Sequence, residues 1–242
     1  MNRKIYFLGV FVIIGLLSVA INFTHGFFSD SGNSSGNIFA AASIFPTPTP
    51  LTNHIVISEI QINGGSSLAD HDFIELYNPT NSDIDINGYR LVSRTGNSSS
   101  DGSIKSFTSS TIIHAHGFYL WASSGDSTFP ASIGADISTT ASLTNSMSVG
   151  LRNGPLDTGI LIDGVGWING NTSFIEGTGF ADAPGGGEIL ERKALSTSTS
   201  VTMTTTDALK GNGYDTNNNS TDFILRTTPQ PQNSTTGGTE SP

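Results

Sequence analysis

The chain has 242 residues, a formal net charge of −10 and no cysteine. Without cysteine there are no disulfides, no thiolate metal centres and no cysteine nucleophile, so the fold rests on core packing. Ten Lys and Arg against twenty Asp and Glu leave too little clustered positive charge to hold a phosphate backbone, which argues against nucleic acid as a partner.

Asn2-Arg3-Lys4 precedes an apolar run from Ile5 to Leu17, and Ser18-Val19-Ala20 places small residues at a cleavage position. Two readings stand. Residues 1–20 are a cleaved signal peptide, or the run, extended to Ile21, remains as an uncleaved anchor near the shortest span that crosses a bilayer. Either one puts the following domain outside the cytoplasm, extracellular or on the cell surface. No wall-anchor motif or second apolar run follows, so any membrane contact is expected through this segment alone. Residues 21–52 read as a linker. Within it Pro46-Thr47-Pro48-Thr49-Pro50 favours an extended polyproline spacer. Phe27-Phe28-Ser29-Asp30 and Ser34 to Ala41 resemble the segment behind the signal in camelysin and biofilm-matrix-fibre precursors, which a dedicated signal peptidase exports. A low-complexity tether is the competing reading.

From residue 53 onward, short β-rich runs alternate with Gly, Asn, Asp and Ser clusters, and no 3.6-residue apolar period is sustained. Strands are expected over 55–62 and 73–77, the second stopped by Pro79, which cannot donate to a ladder. Ile84 and Ile86 alternate with Asp83 and Asp85, and Asn87-Gly88 turns the chain into a strand over 89–93. Further strands are expected at 104–107, 111–113, 118–122, 148–151, 160–167, 188–191 and 223–225. The stretch before 148 reads as irregular. The alternation marks Ile57, Ile60, Ile74, Leu76, Leu91, Phe118, Leu120, Val149, Leu151, Ile162, Val165 and Leu190 as core. Helix is confined to one turn near 66–69 or 206–209. The Ser/Thr-rich run 196–206 reads as a β edge or, better, as a mobile loop with nothing to bury, and 229–242 as a disordered tail.

The text of these strands carries a resemblance. Asp72 to Pro79 reads DFIELYNP, with Ile57-Ser58-Glu59-Ile60 before it and Gly88-Tyr89-Arg90-Leu91 after it. Then follow His116-Gly117-Phe118-Tyr119-Leu120, Leu151-Arg152-Asn153-Gly154, Asp163-Gly164-Val165-Gly166-Trp167, Leu190-Glu191-Arg192 and Asp222-Phe223. In that order and spacing the chain resembles the lamin-tail domain family in its prokaryotic, secreted branch, over residues 53–233. The resemblance implies an all-β, immunoglobulin-like β-sandwich spanning 53–228, used as a module.

Residues that suggest chemistry are few. None of the five histidines lies in a His-Glu-x-x-His arrangement, and no serine lies in a Gly-x-Ser-x-Gly elbow. His114 and His116 could share a metal but read better as turn residues. Asp70-His71-Asp72 with Glu75 reads as structural, Glu75 pairing with Arg90 or Arg192. Gly185-Gly186-Gly187 lacks the Lys of a phosphate loop. Asp215, Asn217 and Asn219 place oxygens at alternating positions, with Asp222 three further on, like the start of a calcium loop. The Gly at the sixth position and the Glu at the twelfth are missing, and plain Asx turns compete. Apart from calcium at Asp215, Asn217, Asn219 and Asp222, no cofactor is expected.

The expected function is therefore an exported, non-enzymatic cell-surface or extracellular module for adhesion, matrix assembly or protein–protein interaction. The alternative is a polysaccharide- or calcium-binding accessory of a secreted hydrolase. Partners would be a cell-surface protein or a polysaccharide, with Trp121, Trp167, Tyr77 and Tyr119 as the aromatics able to stack on sugar rings.

Overall fold

Twelve strands form where β-branched and aromatic residues alternate with polar ones, in the computed structural model that describes residues 52–235 and residue 240. They are β1 (Val56–Gln61), β2 (Phe73–Tyr77), β3 (Ile84–Asp85), β4 (Tyr89–Thr95), β5 (Gly102–Ser106), β6 (Ile112–Ile113), β7 (Phe118–Ser123), β8 (Ile137–Thr139), β9 (Met147–Asn153), β10 (Ile160–Val165), β11 (Ile189–Arg192) and β12 (Phe223–Arg226). The described residues belong to one compact unit, Pro48–Pro242. The export segment and most of the linker fall in residues 1–51, outside the described residues. Among the described residues no helix is long and apolar enough to cross a membrane.

Two sheets make a β-sandwich. One has six strands in the order β12-β11-β1-β2-β7-β8, the other four in the order β10-β9-β4-β5, and β3 with β6 forms a separate two-stranded ribbon. Every pairing is antiparallel except β7 with β8. β8 escaped the sequence reading because three residues with a single apolar side chain make no alternation to detect.

Ile57 and Ile60 both enter the core although three residues apart would place them on opposite faces of a regular strand. A register shift between Ile57 and Glu59 in the β1–β2 pairing resolves this: the bulge inserts one residue and flips the strand's facing. Ile55, Ile57, Ile60 and Ile62 then all point between the sheets, with Ile74, Leu76, Leu91, Trp121, Val149, Leu151, Val165, Trp167 and Leu190. Ile162 only packs against this core from a half-buried position.

Phe118 and Leu120 are buried on the other side of the six-stranded sheet. Leu120 packs with Phe73, Ala122, Phe129 and Ile189, and Phe118 with Val56 and Tyr77. This sheet is thus covered on both faces, which is why every residue of β1 and β2 is buried. Segments that sequence alone reads as loose supply the cover. Phe129–Ser132 forms a helical turn that buries Phe129, and Thr202–Thr204 forms a 3₁₀ turn that buries Met203. The Ser/Thr-rich run is therefore anchored, through Met203 and through Ser198, whose hydroxyl donates to Asp207. The helical turn expected near 66–69 or 206–209 is instead found at Phe129–Ser132 and Asn219–Asp222. The described part of the C-terminal segment, expected to be disordered, is hydrogen-bonded to the sheet: Gln230 N–H donates to Glu59, Gln232 N–H to Glu75, and Asn233 Nδ2 to Gly134 O. Composition predicts disorder only when no buried partner is waiting, and here buried carboxylates are.

Leu76 is fully buried beside Ile74 and across the sandwich from Leu91. Leu76→Asp would bury an unpaired charge and is expected to abolish the cooperative thermal transition. A melting curve like that of the wild type would show that water reaches this position and that the sandwich is not closed over it.

Candidate functional site

Two buried polar clusters stand out, one on each side of the six-stranded sheet. The first is built on Arg192. It follows core-facing Leu190 by two residues on β11 and shares its face, and so a guanidinium enters the sandwich, fully buried. Its Nη2 donates to both carboxylate oxygens of Asp163 at 2.8 Å, joining β11 to β10 and hence one sheet to the other. Nε donates to Ile57 O at 2.9 Å, and Asp163 Oδ2 accepts from Ile57 N–H at 2.5 Å. The backbone groups of Ile57 that β11 leaves unpaired, beside the bulge, are satisfied by this ion pair. Nη1 lies 3.3 Å from Asp215 and 3.8 Å from Asp222, and the guanidinium stacks over Phe223.

This geometry settles where the four calcium candidates sit. Asp215 Oδ1 accepts Asn217 N–H at 3.0 Å, and its Oδ2 is 3.4 Å from His54 Nε2. Asp222 accepts from Thr216 N–H, Thr216 hydroxyl and Asn218 N–H. Asn217 is exposed, with φ +55°, a left-handed turn conformation that Asn tolerates well. Asn219 is fully buried and acts as a substitute strand. Its Oδ1 accepts from Gly166 N–H and Glu176 N–H, and its Nδ2 donates to Gly164 O, which seals part of the open edge of β10. The oxygens of Asp215, Asn219 and Asp222 are therefore engaged by backbone donors, Asn217 faces solvent, and Arg192 supplies the cation that the carboxylates face. Millimolar calcium is expected to leave the melting temperature unchanged. A rise that chelator reverses and Asp215→Ala removes would restore the ion to this loop.

His54, Asp163 and Asp215 each bring one ligand atom within 4.8 Å of the others, the spacing of a small cation site. The guanidinium bonded to both aspartates already occupies that role. Burial works against the charged form of Asp215, yet His54 and Arg192 beside it hold its carboxyl down at about 2. Burial, reinforced by the Asp163 charge, pushes Glu176 up to about 9.

The second cluster lies on the outer face of the same sheet. Glu191, Glu59 and Glu75 are direct cross-strand neighbours on β11, β1 and β2. Like charges in that register repel, and all three are buried. Ser58 hydroxyl donates to Glu75 at 2.6 Å, Asn212 Nδ2 donates to Glu191 at 3.0 Å, and Arg226 pairs with Glu191. Neither Arg90 nor Arg192 pairs with Glu75, because Glu75 faces away from both. Burial pushes Glu75 up to about 8. The same cause, with the charges of Glu75 and Glu191 added, raises Glu59 well above the usual carboxylate range. Glu240 closes this face: its side chain accepts from Gln232 Nε2 at 2.8 Å, and its carbonyl from Tyr77 Oη. A cavity of about 190 Å³ remains, walled by Glu59, Glu191, Glu240, Asp207, Gln232 and Met203.

The remaining candidates are structural. The Asp126 carboxylate accepts from His71 Nε2 at 3.0 Å and the His71 ring stacks on Phe129, while buried Asp72 accepts Leu143 N–H. His114 pairs with Asp83 and His116 with Asn81, so the two do not share a ligand. Trp121, Trp167 and Tyr77 are fully buried and Tyr119 is half-buried, so these four form no sugar-stacking platform. Sequence reasoning passed over Asp163, Arg192, Glu59 and Glu191 as a group. The available signal was a charged residue inside each of several otherwise apolar strands.

No curated protein matches this sequence. The lamin tail domain family matches residues 48–169, half of the chain. That segment contains β1 to β10, and β11 and β12 beyond it complete the same six-stranded sheet. With an immunoglobulin-like sandwich matched across both of its sheets, the chain belongs to the lamin tail domain family, a family of non-catalytic modules.

Proposed function

We propose that this protein is an exported, non-enzymatic module, displayed on the cell surface or released, that acts through protein–protein contact in adhesion or matrix assembly. The observation that carries the reading is where the side chains are spent. The aromatic groups that could bind sugar and the ionisable groups that could do chemistry are largely committed to the interior. Large apolar side chains at Val201 and Leu209 face solvent instead, 67 % and 80 % exposed. The apolar run behind Arg3 and Lys4 supports export, and the Pro/Thr spacer supports display away from a surface.

Expressed in a bacterial host, the chain is expected outside the cytoplasm, with a mature N-terminus near Ile21 or an intact one held in the membrane. The purified protein is expected to turn over no nucleic acid, ester, peptide or glycan, with or without divalent metal. Recovery only from the cytosol, or hydrolysis with or without divalent metal that survives repurification, would overturn the reading. The accessory-module alternative needs a sugar platform elsewhere than at Trp121, Trp167 and Tyr77, and no specific feature favours one.

A further inference from the structure

We propose that the segment Pro229–Thr235 is a strap that lifts off the outer face of the six-stranded sheet as the pH rises, while the sandwich beneath it stays folded. This goes beyond the reading of the chain as an interaction module and does not depend on it.

The strap is fastened to acid side chains of the sheet. Pro229 and Pro231 have no N–H to give to a strand ladder. The residues that follow each of them donate to carboxylates: Gln230 N–H to Glu59 at 3.1 Å and Gln232 N–H to Glu75 at 2.5 Å. Further along, Asn233 Nδ2 donates to Gly134 O at 2.6 Å and Ser234 N–H to Asp136 at 3.0 Å. Pro, Gln, Asn, Ser and Thr make up the whole strap, and within it Asn233 alone is buried. The apolar cover of the same face comes from Phe129 and Met203, which belong to other segments. Polar contacts with little apolar burial mark a segment that can open by itself.

Beneath the strap lies the cross-strand row of Glu191, Glu59 and Glu75, with Glu240 on the wall of the cavity that Glu59 and Glu191 also line. The cations on this side are engaged, Arg226 with Glu191 and the Gln230 side chain, and Lys210 with Asp207. Tyr77 and the His116 carbonyl meet Glu240, and Asp136 meets Ser234. Burial holds the Glu75 proton to about 8 and raises Glu59, Glu191 and Glu240 in the same direction. When these groups ionise, like charges stand side by side out of water. Lifting the strap brings water to Glu59 and Glu75 at the loss of a few hydrogen bonds, whereas lifting Phe129 or Met203 would expose apolar surface as well.

The sign follows from proton binding. The closed form keeps protons that the open form releases, so opening gains about tenfold per pH unit for each carboxyl that ionises with it. For Glu75 that gain runs from the ordinary carboxylate range up to about 8. Mild acid keeps the strap down.

Hydrogen exchange of the full chain, followed by mass spectrometry at pH 6, 7 and 8 and corrected for the intrinsic rise in exchange rate, tests this. Protection over Gln230–Thr235 should fall about tenfold or more per pH unit. At pH 8 it should lie roughly a hundredfold or more below the protection of β9. Glu75→Gln should keep the strap closed, with protection at pH 8 about tenfold or more above wild type. Glu59→Gln carries the same expectation should Glu75→Gln fail to fold. Strap protection that stays level with pH would overturn the proposal. Equal protection of strap and β9 at pH 8 would also overturn it, because the strap would then open only with the whole sandwich. The same loss of protection in wild type and both variants would assign the slope to other groups and overturn it as well.

Discussion

Raising the pH from 5 to 9 is expected to lower the melting temperature steadily, by about 10 °C or more over that range. The cause is the row of buried glutamates. In the unfolded chain Glu75 releases its proton near 4.5, whereas in the folded protein burial holds it to about 8. Glu176 behaves alike, held to about 9 by burial and the Asp163 charge, and Glu59 is raised in the same direction. Between those limits the unfolded chain binds fewer protons than the folded one, so stability falls as the pH rises. Each tenfold difference in proton affinity is worth about 1.4 kcal/mol, which makes the combined loss several kcal/mol in order of magnitude. On the acid side the sign reverses. Asp215, held at about 2, contributes stability that is present above the ordinary carboxylate range and lost as the pH falls toward 2. The stability maximum should therefore lie at mildly acidic pH. Glu75→Gln and Glu59→Gln should flatten the alkaline slope and raise the melting temperature at pH 8. A wild-type melting temperature that is level from pH 5 to 9 would show that these carboxyls ionise freely, and that the cover over the outer face is not closed.

Arg192→Ala should be the most damaging single truncation in the molecule. It removes the fork to Asp163, the donor to Ile57 O and the stack on Phe223, and it leaves Asp163, Asp215 and Asp222 buried beside one another without a cation. Breaking a buried pair from one side costs about 3–5 kcal/mol, and here three carboxylates are stranded. Arg192→Lys should recover little, because one ammonium cannot reproduce a planar fork, an Nε donor and a ring stack together. Arg192→Met combined with Asp163→Leu should recover part of the loss, since an apolar pair leaves no charge unpaired, although Ile57 N–H then goes without its acceptor. Denaturant midpoints of the three variants measure this. A midpoint for Arg192→Ala within about 1 kcal/mol of wild type would show that water reaches the cluster and that it does not clamp the sheets.

The sequence by itself determined the class of fold and nearly every strand. Phe73 to Tyr77 and Phe118 to Ala122 are legible because apolar alternation and the stop at Asn78-Pro79 act locally, residue against neighbour, whereas the strand expected over 160–167 ends at Val165. It also showed that Asp215, Asn217, Asn219 and Asp222 form a polar loop, since Asx residues shape their own backbone. Only the tertiary structure decided what those groups do. That Asn219 seals the edge of β10, that Asp222 and Asp215 face Arg192, and that Glu59, Glu75 and Glu191 align in one row all depend on partners 17 to 135 residues away or on pairing register. The bulge beside Ile57 is the clearest instance. One inserted residue exchanges the two faces of β1, sending Ile60 into the core and Glu59 outward beneath the C-terminal segment. Composition marked that segment as disordered because propensity counts only what a residue can bury of its own. Whether Gln230 and Gln232 are held depends on buried carboxylates that accept their N–H groups, and that is a property of the assembled sheet.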